Sequence, residues 1–384
     1  MMRVHLPGDC EDIVRLQKRA GRAGLLESEC EALSLLYDRV SVEGPSEEEE
    51  ILALLTRPFS RRLAIPEYYQ YTSLHVYGWF LSHYRKDPLR GSIVALHTTL
   101  VDLLSMEEQG ARLGEATPAY IHERIRGLRG LLGQLDEIPV DRKGPLFVAD
   151  MLKGSKKDAE EQWRAFILAR CTGFPRSQAH DEYIFLRSVH ACEIVFFQVR
   201  WLALRISEMI AADQKEAVFL LGQLTTFAEL LNKIFDVLKT MSPERFMSFR
   251  AQTGNASAVQ SLNHHAMEIA VFGFDPARAS VFDGFEHLKR LNEPLFREHA
   301  SLRSVIEATA DGALAEGFAK LDRCLLRWRG GHYGFARKYL PVDIKGSGGT
   351  EGAPYLKRFI KKDDCQSGEQ RPGTDSELAR FFFC

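Results

Sequence analysis

Apolar residues recur every three or four positions along most of this chain, while strict alternation of apolar and polar residues is rare. The first spacing is that of one face of an α-helix, whereas alternation is typical of a half-buried strand. The pattern therefore predicts an all-α protein. Predicted helices cover residues 13–26, 28–42, 47–55, 69–83, 93–104, 118–135, 162–168, 180–210, 215–238, 256–272, 282–291, 295–309 and 314–328.

Breaks in the helical pattern divide the chain into regions. Residues 138–154 are rich in Pro, Gly and charge, and residues 171–178 read CTGFPRSQ, which favours a boundary near residue 170. Beyond it, helices 180–210 and 215–238 are longer than average and are joined by a short polar turn, so we expect an antiparallel core pair. The predicted regions are an N-terminal helical region over 1–170, a second helical domain over 171–360 and a flexible tail over 361–384.

Composition limits the partners. The chain has 384 residues with 50 Lys and Arg against 52 Asp and Glu, so no charge argument favours nucleic acid or an acidic membrane. Seven cysteines include no Cys-x-x-Cys pair, as expected for reduced thiols in the cytosol. No apolar run approaches the roughly 20 residues of a membrane span, and the N-terminus has no signal-peptide core. We predict a soluble, cytoplasmic protein with a small ligand.

A histidine and a glycine-rich loop lie close together in residues 327–356. His332 follows an apolar helical face, so its imidazole could project into a cofactor cavity. The loop GSGGTEG includes Gly346 and Gly348, and glycine lets a backbone approach a ligand closely while exposing N–H donors. The alternatives are a core histidine that is hydrogen-bonded within the protein, and a plain glycine linker.

The predicted helix 180–210 has one apolar face that could cover a flat cofactor. This face consists of Phe185, Val189, Cys192, Phe196 and Val199. His190 lies about 100° around the helix from Val189 and close to Glu193 on the next turn. We consider two roles for His190, which are a hydrogen bond to Glu193 and a function as distal acid, base or proton relay.

Arg250 lies between aromatic residues and a loop of small residues, after which a helix begins near Ser257. A guanidinium can donate two parallel charge-assisted hydrogen bonds to a carboxylate, which orients a substrate in a way that lysine does not. A substrate carboxylate is therefore one possible partner of Arg250. A helix C-terminus or an internal acid is the other.

Three ordered motifs combine these features. The first is HDE at 180–182 with Phe185 and Glu193, the second is FMSFR at 246–250 with SAVQSL at 257–262, and the third is WRGGH at 328–332 with GSGGTEG at 346–352. In order and composition they resemble the tryptophan 2,3-dioxygenase family, within the wider group of histidine-ligated heme enzymes that act on aromatic substrates. The resemblance covers residues 175–356.

The resemblance implies an all-α bundle with a heme pocket and, here, an N-terminal helical extension. His332 corresponds to the iron ligand, and Arg250 to the residue that pairs with the amino-acid carboxylate. Phe185 would contact the aromatic ring, and Ser347 would lie near the ammonium group or a heme propionate. The remaining predicted site residues are Val189 for the substrate and Ser257, Gly346 and Gly348 for the cofactor.

Two departures from the family concern the chemistry. The distal histidine of the family aligns with Val189, so His190 can be catalytic only if a local bulge turns its imidazole into the pocket. Some related hydroxylases attach heme through a cysteine four residues after the ligand histidine, and Ala336 stands at that position. We therefore expect non-covalent heme b as the iron cofactor.

The leading hypothesis is heme-dependent oxidation of an aromatic amino acid, in the form of dioxygenation of the indole ring of tryptophan or a derivative. The first alternative is a heme monooxygenase or peroxygenase that hydroxylates tyrosine or indole in a biosynthetic pathway. The second is a helical heme-binding protein without turnover. The partners are then an aromatic amino acid with O2 or peroxide, and the resemblance implies at least a homodimer.

Overall fold

The computed structural model describes residues 5–40, 43–113, 118–141, 144–145, 159–341, 346 and 349–384. Helices dominate these residues, which confirms the all-α prediction, and β1 (Pro139–Asp141) pairs with β2 (Gly144–Pro145) in one short antiparallel ribbon. The helices are α1 (Cys10–Ala20), α2 (Glu27–Arg39), α3 (Glu47–Thr56), α4 (Glu67–Thr72), α5 (Leu74–Ser82), α6 (Pro88–Leu113), α7 (Ala119–Asp136), α8 (Ala159–Arg170), α9 (His180–Met209), α10 (Gln214–Leu238), α11 (Pro243–Arg250), α12 (Leu262–Phe272), α13 (Ala279–Asp283), α14 (Pro294–Arg297), α15 (Leu302–Thr309), α16 (Gly312–Tyr339) and α17 (Ala353–Arg358).

The predicted long pair, α9 and α10, forms the centre of the fold. Helix α9 is buried along most of its length and packs against α10, α6 and α12. Helix α10 begins where the Asp213 carboxylate accepts a hydrogen bond from the Glu216 N–H (3.0 Å), a favourable N-terminal cap. By length and hydropathy α10 could cross a membrane, but half of its most apolar window is buried inside the protein. This burial against α9 and α16 is typical of a core helix of a soluble protein.

Helix α16 is longer than the sequence pattern predicts. It begins at a cap in which the Asp311 carboxylate accepts a hydrogen bond from the Leu314 N–H (2.7 Å), and it continues to Tyr339. Its last turns contain three glycines, which have low helix propensity, but they also contain the stacked rings of Phe335 and Tyr339, 3.7 Å apart. His332 therefore lies within a helix and not at its end.

The N-terminal helices share one hydrophobic core with the rest of the protein. Buried side chains of α3 and α5, such as Leu55 and Tyr77, belong to the same contiguous cluster as Phe197 of α9 and Leu231 of α10. Tyr68 of α4 also donates a hydrogen bond to the Glu193 carboxylate of α9 (2.6 Å). The boundary predicted near residue 170 is therefore not a break in the core of the described residues.

The segment 361–384 differs from the flexible tail that its polar sequence predicts. Leu378 and Phe382 are buried, and the Asn263 side chain forms hydrogen bonds with both the N–H and the carbonyl of Phe382, each 2.9 Å long. Lys362 is also buried, with its Nζ 2.6 Å from a Glu268 carboxylate oxygen. The polar composition of residues 361–384 gave the wrong prediction, because a charged side chain can be buried when an acid that is distant in the sequence pairs with it in the fold.

Candidate cofactor and substrate site

An aromatic cavity lies between α9, α11, α16 and α17. It contains about 1070 Å³ of empty space, part of which is open to solvent. Its walls are mainly aromatic rings, which suit a flat apolar ligand. These rings belong to Phe185, Phe196, Phe246, Trp328, Phe335, Tyr339, Tyr355 and Phe359. We call this space the aromatic cavity.

His332 lines the aromatic cavity from α16. Its ring centroid lies 5.3 Å from that of Phe235 and 6.0 Å from that of Trp328. Burial lowers the pKa of His332 to about 4, so the imidazole is neutral near pH 7, which is the form that binds a metal. Within the described parts of the chain, its ring nitrogens have no hydrogen-bond partner. The arrangement suits a ligand histidine.

His265, in the same region, is a histidine whose two ring nitrogens both have hydrogen-bond partners within the protein. Its Nε2 donates to the Val259 carbonyl (2.8 Å), and its Nδ1 accepts from Arg278 (2.7 Å). Both ring nitrogens are therefore used by the protein. His332 differs in this respect, which argues against the core alternative considered for it.

Arg250 ends α11 and places its half-buried side chain on the aromatic cavity. Burial lowers the pKa of Arg250, and among the described residues its guanidinium has neither an ion pair nor a hydrogen bond. The buried Arg124, by contrast, binds Glu107 (2.7 Å) and Asp181 (2.6 Å). An unpaired guanidinium beside aromatic rings favours an anionic ligand over the internal acid considered as the alternative.

The other predicted binding residues are only partly described. Ser257 and Gly346 line the aromatic cavity, whereas Ser347 and Gly348 lie outside the described residues. The Gly346 N–H donates to the Thr350 carbonyl (2.9 Å), so this amide serves the loop itself. A Cβ atom at residue 346 would lie only 2.2 Å from Thr350 Oγ1, so any other residue here would have to displace the Thr350 side chain. Val189 is packed against the hydrophobic core and is not among the residues that line the cavity.

Two neutral buried donors of the cavity wall have no hydrogen-bond partner in the described structure. They are the indole N–H of Trp328 and the hydroxyl of Tyr355. A buried polar group that lacks a hydrogen bond costs about 1–3 kcal/mol. Acceptor groups on a bound ligand would remove this cost. The cavity therefore offers one imidazole and one guanidinium without partners among the described residues, and two neutral donors, within aromatic walls, and this set fits a heme with an amino-acid substrate.

His264 is a cavity residue that the sequence analysis did not identify. It lies on α12, with its ring centroid 5.1 Å from Phe196 and 5.5 Å from Trp328. Burial lowers the pKa of His264 well below its usual value, so the ring is neutral. The adjacent histidines at 264 and 265, which lie just after the second motif, are a signal that could have identified it.

A buried ionic cluster supports the wall beside these histidines. The Glu268 carboxylate lies 2.6 Å from Lys362, 2.9 Å from Arg278 and 3.5 Å from Arg329. Burial alone would raise the pKa of Glu268, but Lys362 and then Arg278 outweigh burial and hold that pKa well below its usual value. The cluster joins α12, α16 and the segment 361–384, and it places Arg278 at the cavity.

The structure places His190 away from the aromatic cavity. Its ring is fully buried, its Nε2 donates to the Thr72 carbonyl (2.7 Å) and its Nδ1 lies 3.5 Å from Arg187. Burial, and then the Arg187 charge, lowers the pKa of His190 well below its usual value. Helix α9 is continuous here, so the bulge that would turn the imidazole into the pocket does not form. The structure therefore does not support a catalytic role for His190.

The alternative role considered for His190, a hydrogen bond to Glu193, is also wrong. The Glu193 carboxylate accepts hydrogen bonds from Tyr68 (2.6 Å) and Asn263 (2.9 Å) instead. Residues three apart on a helix are neighbours, which is why the sequence suggested this pair. In the folded protein, however, Tyr68 of α4 and Asn263 of α12 supply the donors to Glu193, and His190 donates to the Thr72 carbonyl.

Comparison with known proteins agrees with the first two motifs. The model of the tryptophan 2,3-dioxygenase family matches residues 170–287, a span that contains Phe185 and Arg250 and ends before His332. The tryptophan 2,3-dioxygenase of Ruegeria pomeroyi is 26% identical over 241 residues, which cover 50% of this chain and 83% of the relative. Those of Bradyrhizobium diazoefficiens and Erythrobacter litoralis are 25% and 27% identical, over 49% of this chain and 82% and 87% of the relatives. The resemblance is confirmed, at low identity.

Proposed function

We propose that this protein is a heme-dependent oxygenase that oxidises tryptophan or a closely related aromatic amino acid with O2. One observation carries the proposal: the His332 imidazole and the Arg250 guanidinium, both without partners among the described residues, face one aromatic cavity. A metal ligand and a carboxylate-binding cation in one apolar space are what such a reaction requires of the protein. The names of the similar proteins support the same function.

His332 is the proposed ligand of the heme iron. No cluster of three or more His, Cys, Asp or Glu side chains that could hold a metal ion occurs among the described residues. A lone imidazole therefore needs a cofactor that brings its own ligands, as a porphyrin does, and bound heme supplies the iron at which oxygen chemistry takes place. The Cys324 thiol donates a hydrogen bond to the Glu229 carboxylate (3.2 Å). Because this thiol is used within the protein, it is not free to attach heme covalently, which supports non-covalent heme b.

Arg250 is the proposed partner of the substrate carboxylate. The Phe185 ring lies 5.6 Å from Phe246 and 5.7 Å from Phe249, and this group of rings would pack against the aromatic ring of the substrate. Holding the substrate at both ends removes much of the entropic barrier to reaction. The proposed contacts to the ammonium group and the cofactor come from Ser257, Gly346, Ser347 and Gly348.

A heme monooxygenase or peroxygenase that hydroxylates tyrosine or indole is the second candidate. The position that the resemblance assigns to a distal histidine holds Val189, and His190 is bonded to Thr72 instead. A proton in the reaction would then have to move through substrate, water or another cavity group. This difference from the related dioxygenases is the observation that favours altered chemistry.

Spectroscopy and product analysis distinguish the candidates. Tryptophan titrated into the heme-loaded ferrous protein should shift the Soret band, and O2 should then yield N-formylkynurenine. A hydroxylated product formed with peroxide, without N-formylkynurenine, would support the second candidate. A protein that binds heme but responds to no aromatic amino acid would instead be a non-catalytic heme-binding protein.

We also propose that the protein is a cytoplasmic homo-oligomer that needs neither membrane nor nucleic acid. The near balance of acidic and basic residues gives no electrostatic reason to expect a membrane or nucleic-acid partner. The resemblance to a family whose members form oligomers supports the proposed assembly. Light scattering on the purified heme-loaded protein tests the assembly, and a strict monomer at micromolar concentration would contradict it.

A further inference from the structure

A second cavity is built by the N-terminal helices and the C-terminal segment. It lies between α3, α5, α9 and residues 374–383, and it contains about 1530 Å³ of empty space, part of which is open to solvent. Apart from Phe197 and Trp201, its lining residues fall outside the span 170–287 that the family model matches. We call it the N-terminal cavity. Nothing in the proposed oxygenase reaction uses it.

Several aromatic rings form part of the walls of the N-terminal cavity. They include Trp79, Trp201, Phe381 and Phe383. A Cβ atom at Gly78 would lie 2.2 Å from Cε1 of Phe383, so this glycine is what lets the Phe383 ring lie against α5. Phe383 nevertheless keeps 39% of its surface exposed. The cavity therefore presents flat apolar surface that the protein itself leaves uncovered.

The charged groups at the N-terminal cavity are mainly basic. Arg57, Arg85 and Arg380 line it, and Asp375 is the one acid among the lining residues. Arg85, Arg380 and Asp375 are exposed at the rim, whereas Arg57 is half-buried. His75 adds no charge, because burial lowers its pKa to about 3 and its Nε2 donates to the Leu54 carbonyl (2.9 Å).

Arg57 resembles Arg250 in lacking a counter-ion. Its guanidinium lies 5.7 Å from the centre of the Phe383 ring, and its buried Nε has no hydrogen-bond partner within the described structure. No acid of the described residues forms an ion pair with it. The indole N–H of Trp79, in the same wall, is also buried without a partner. A cationic fork and a neutral donor beside aromatic rings form a binding site for an anion with a flat body.

We propose that the N-terminal cavity binds a small carboxylate that carries an aromatic ring and no ammonium group. The carboxylate would accept two hydrogen bonds from Arg57, and the ring would pack against Trp79 and Phe383. An amino acid fits less well, because among the described residues that line the cavity only the exposed Asp375 could pair with an ammonium group. The ligand of this cavity is therefore a different class of molecule from the substrate proposed for the aromatic cavity.

Calorimetric titration of indole-3-propionate into heme-loaded full-length protein tests the proposal. The titration uses the Arg250→Met variant, so that the aromatic cavity has lost the guanidinium that has no partner among the described residues. We expect one binding event, weaker on the order of tenfold or more when Arg57→Met is added, because a desolvated charge-assisted pair is lost. The matched control Arg39→Met removes an exposed arginine of α2 and should leave the affinity unchanged.

The neutral analogue indole-3-propionamide provides a test that needs no change at Arg57. It has nearly the shape of the acid, and we expect it to bind at least about tenfold more weakly to the Arg250→Met protein. Tryptophan should also bind more weakly than indole-3-propionate. Equal affinity for acid and amide, an unchanged affinity after Arg57→Met, or no binding of the acid once Arg250 is replaced would each overturn the proposal. If the Arg57→Met protein does not fold, the acid and amide comparison decides.

Discussion

His190 on α9 and His332 on α16 are both neutral histidines whose pKa values are lowered first by burial, yet their surroundings differ. His190 uses both ring nitrogens, at the Thr72 carbonyl and near Arg187. His332 uses neither within the described residues and faces a cavity. The difference teaches that burial does not identify a ligand histidine. What distinguishes one is ring nitrogens left free beside open space.

Two arginines, Arg187 and Arg250, differ in the same way, because the first has partners within the protein and the second has none among the described residues. Arg187 is fully buried and contacts Asp102, the Thr172 hydroxyl (2.7 Å) and other groups, so it stabilises the fold. Arg250 is half-buried and has no partner in the described residues. A side chain whose hydrogen-bonding groups are all used contributes to stability, whereas one whose groups are free can bind a ligand. Four predictions test this comparison.

The largest effect is expected for His332→Ala, which should abolish stoichiometric heme binding because the proposed iron ligand is removed. Heme content measured from the Soret absorbance of purified protein checks this outcome. His122→Ala, which removes an exposed histidine of α7, is the control and should bind heme normally. Equal heme content in wild type and His332→Ala would refute the ligand assignment.

Arg250→Met should retain heme and weaken tryptophan binding by roughly 2–5 kcal/mol, because the substrate carboxylate would lose its charged partner. Titration of the ferrous heme protein, followed through the Soret band, measures this change. Arg250→Lys keeps the charge without the two parallel donors and should fall between wild type and Arg250→Met. Unchanged tryptophan affinity in Arg250→Met would contradict the role.

His190→Ala should lower the free energy of unfolding by roughly 1–3 kcal/mol, since the buried Thr72 carbonyl loses its donor. Heme content and product yield per folded molecule should stay at the wild-type level. Urea unfolding and turnover assays on the same samples measure both quantities. Loss of turnover with normal stability and heme content would show that His190 is catalytic after all.

The smallest effect concerns pH. The pKa of His190 in the folded protein lies well below 6.5, first because of burial. The unfolded chain takes up a proton at this residue below about pH 6.5 while the folded protein does not, so the free energy of unfolding falls as the pH falls. The loss grows as the pH falls further below the pKa of the imidazole in the unfolded chain. The stability difference between wild type and His190→Ala should therefore narrow as the pH falls, and a constant difference in urea unfolding would argue against it.

Helix positions and the three motifs were accessible from the sequence because both depend on short-range spacing. Residues 180–210 were predicted as a helix, and α9 ends one residue earlier. The site was less accessible. His264 was missed although it lies just after the second motif, and Val189 was placed at the substrate although it packs against the core. Helical spacing identifies the residues that share a face but not the object that the face contacts.

By itself the sequence determined the helical architecture, the central pair of helices and the family resemblance, because 3.6-residue periodicity and ordered motifs are properties of neighbouring residues. Only the tertiary structure decided which polar side chains are satisfied. Thr72 is 118 residues from His190, and Lys362 is 94 residues from Glu268. No local pattern contains such pairs, since the fold creates them when it brings distant segments together.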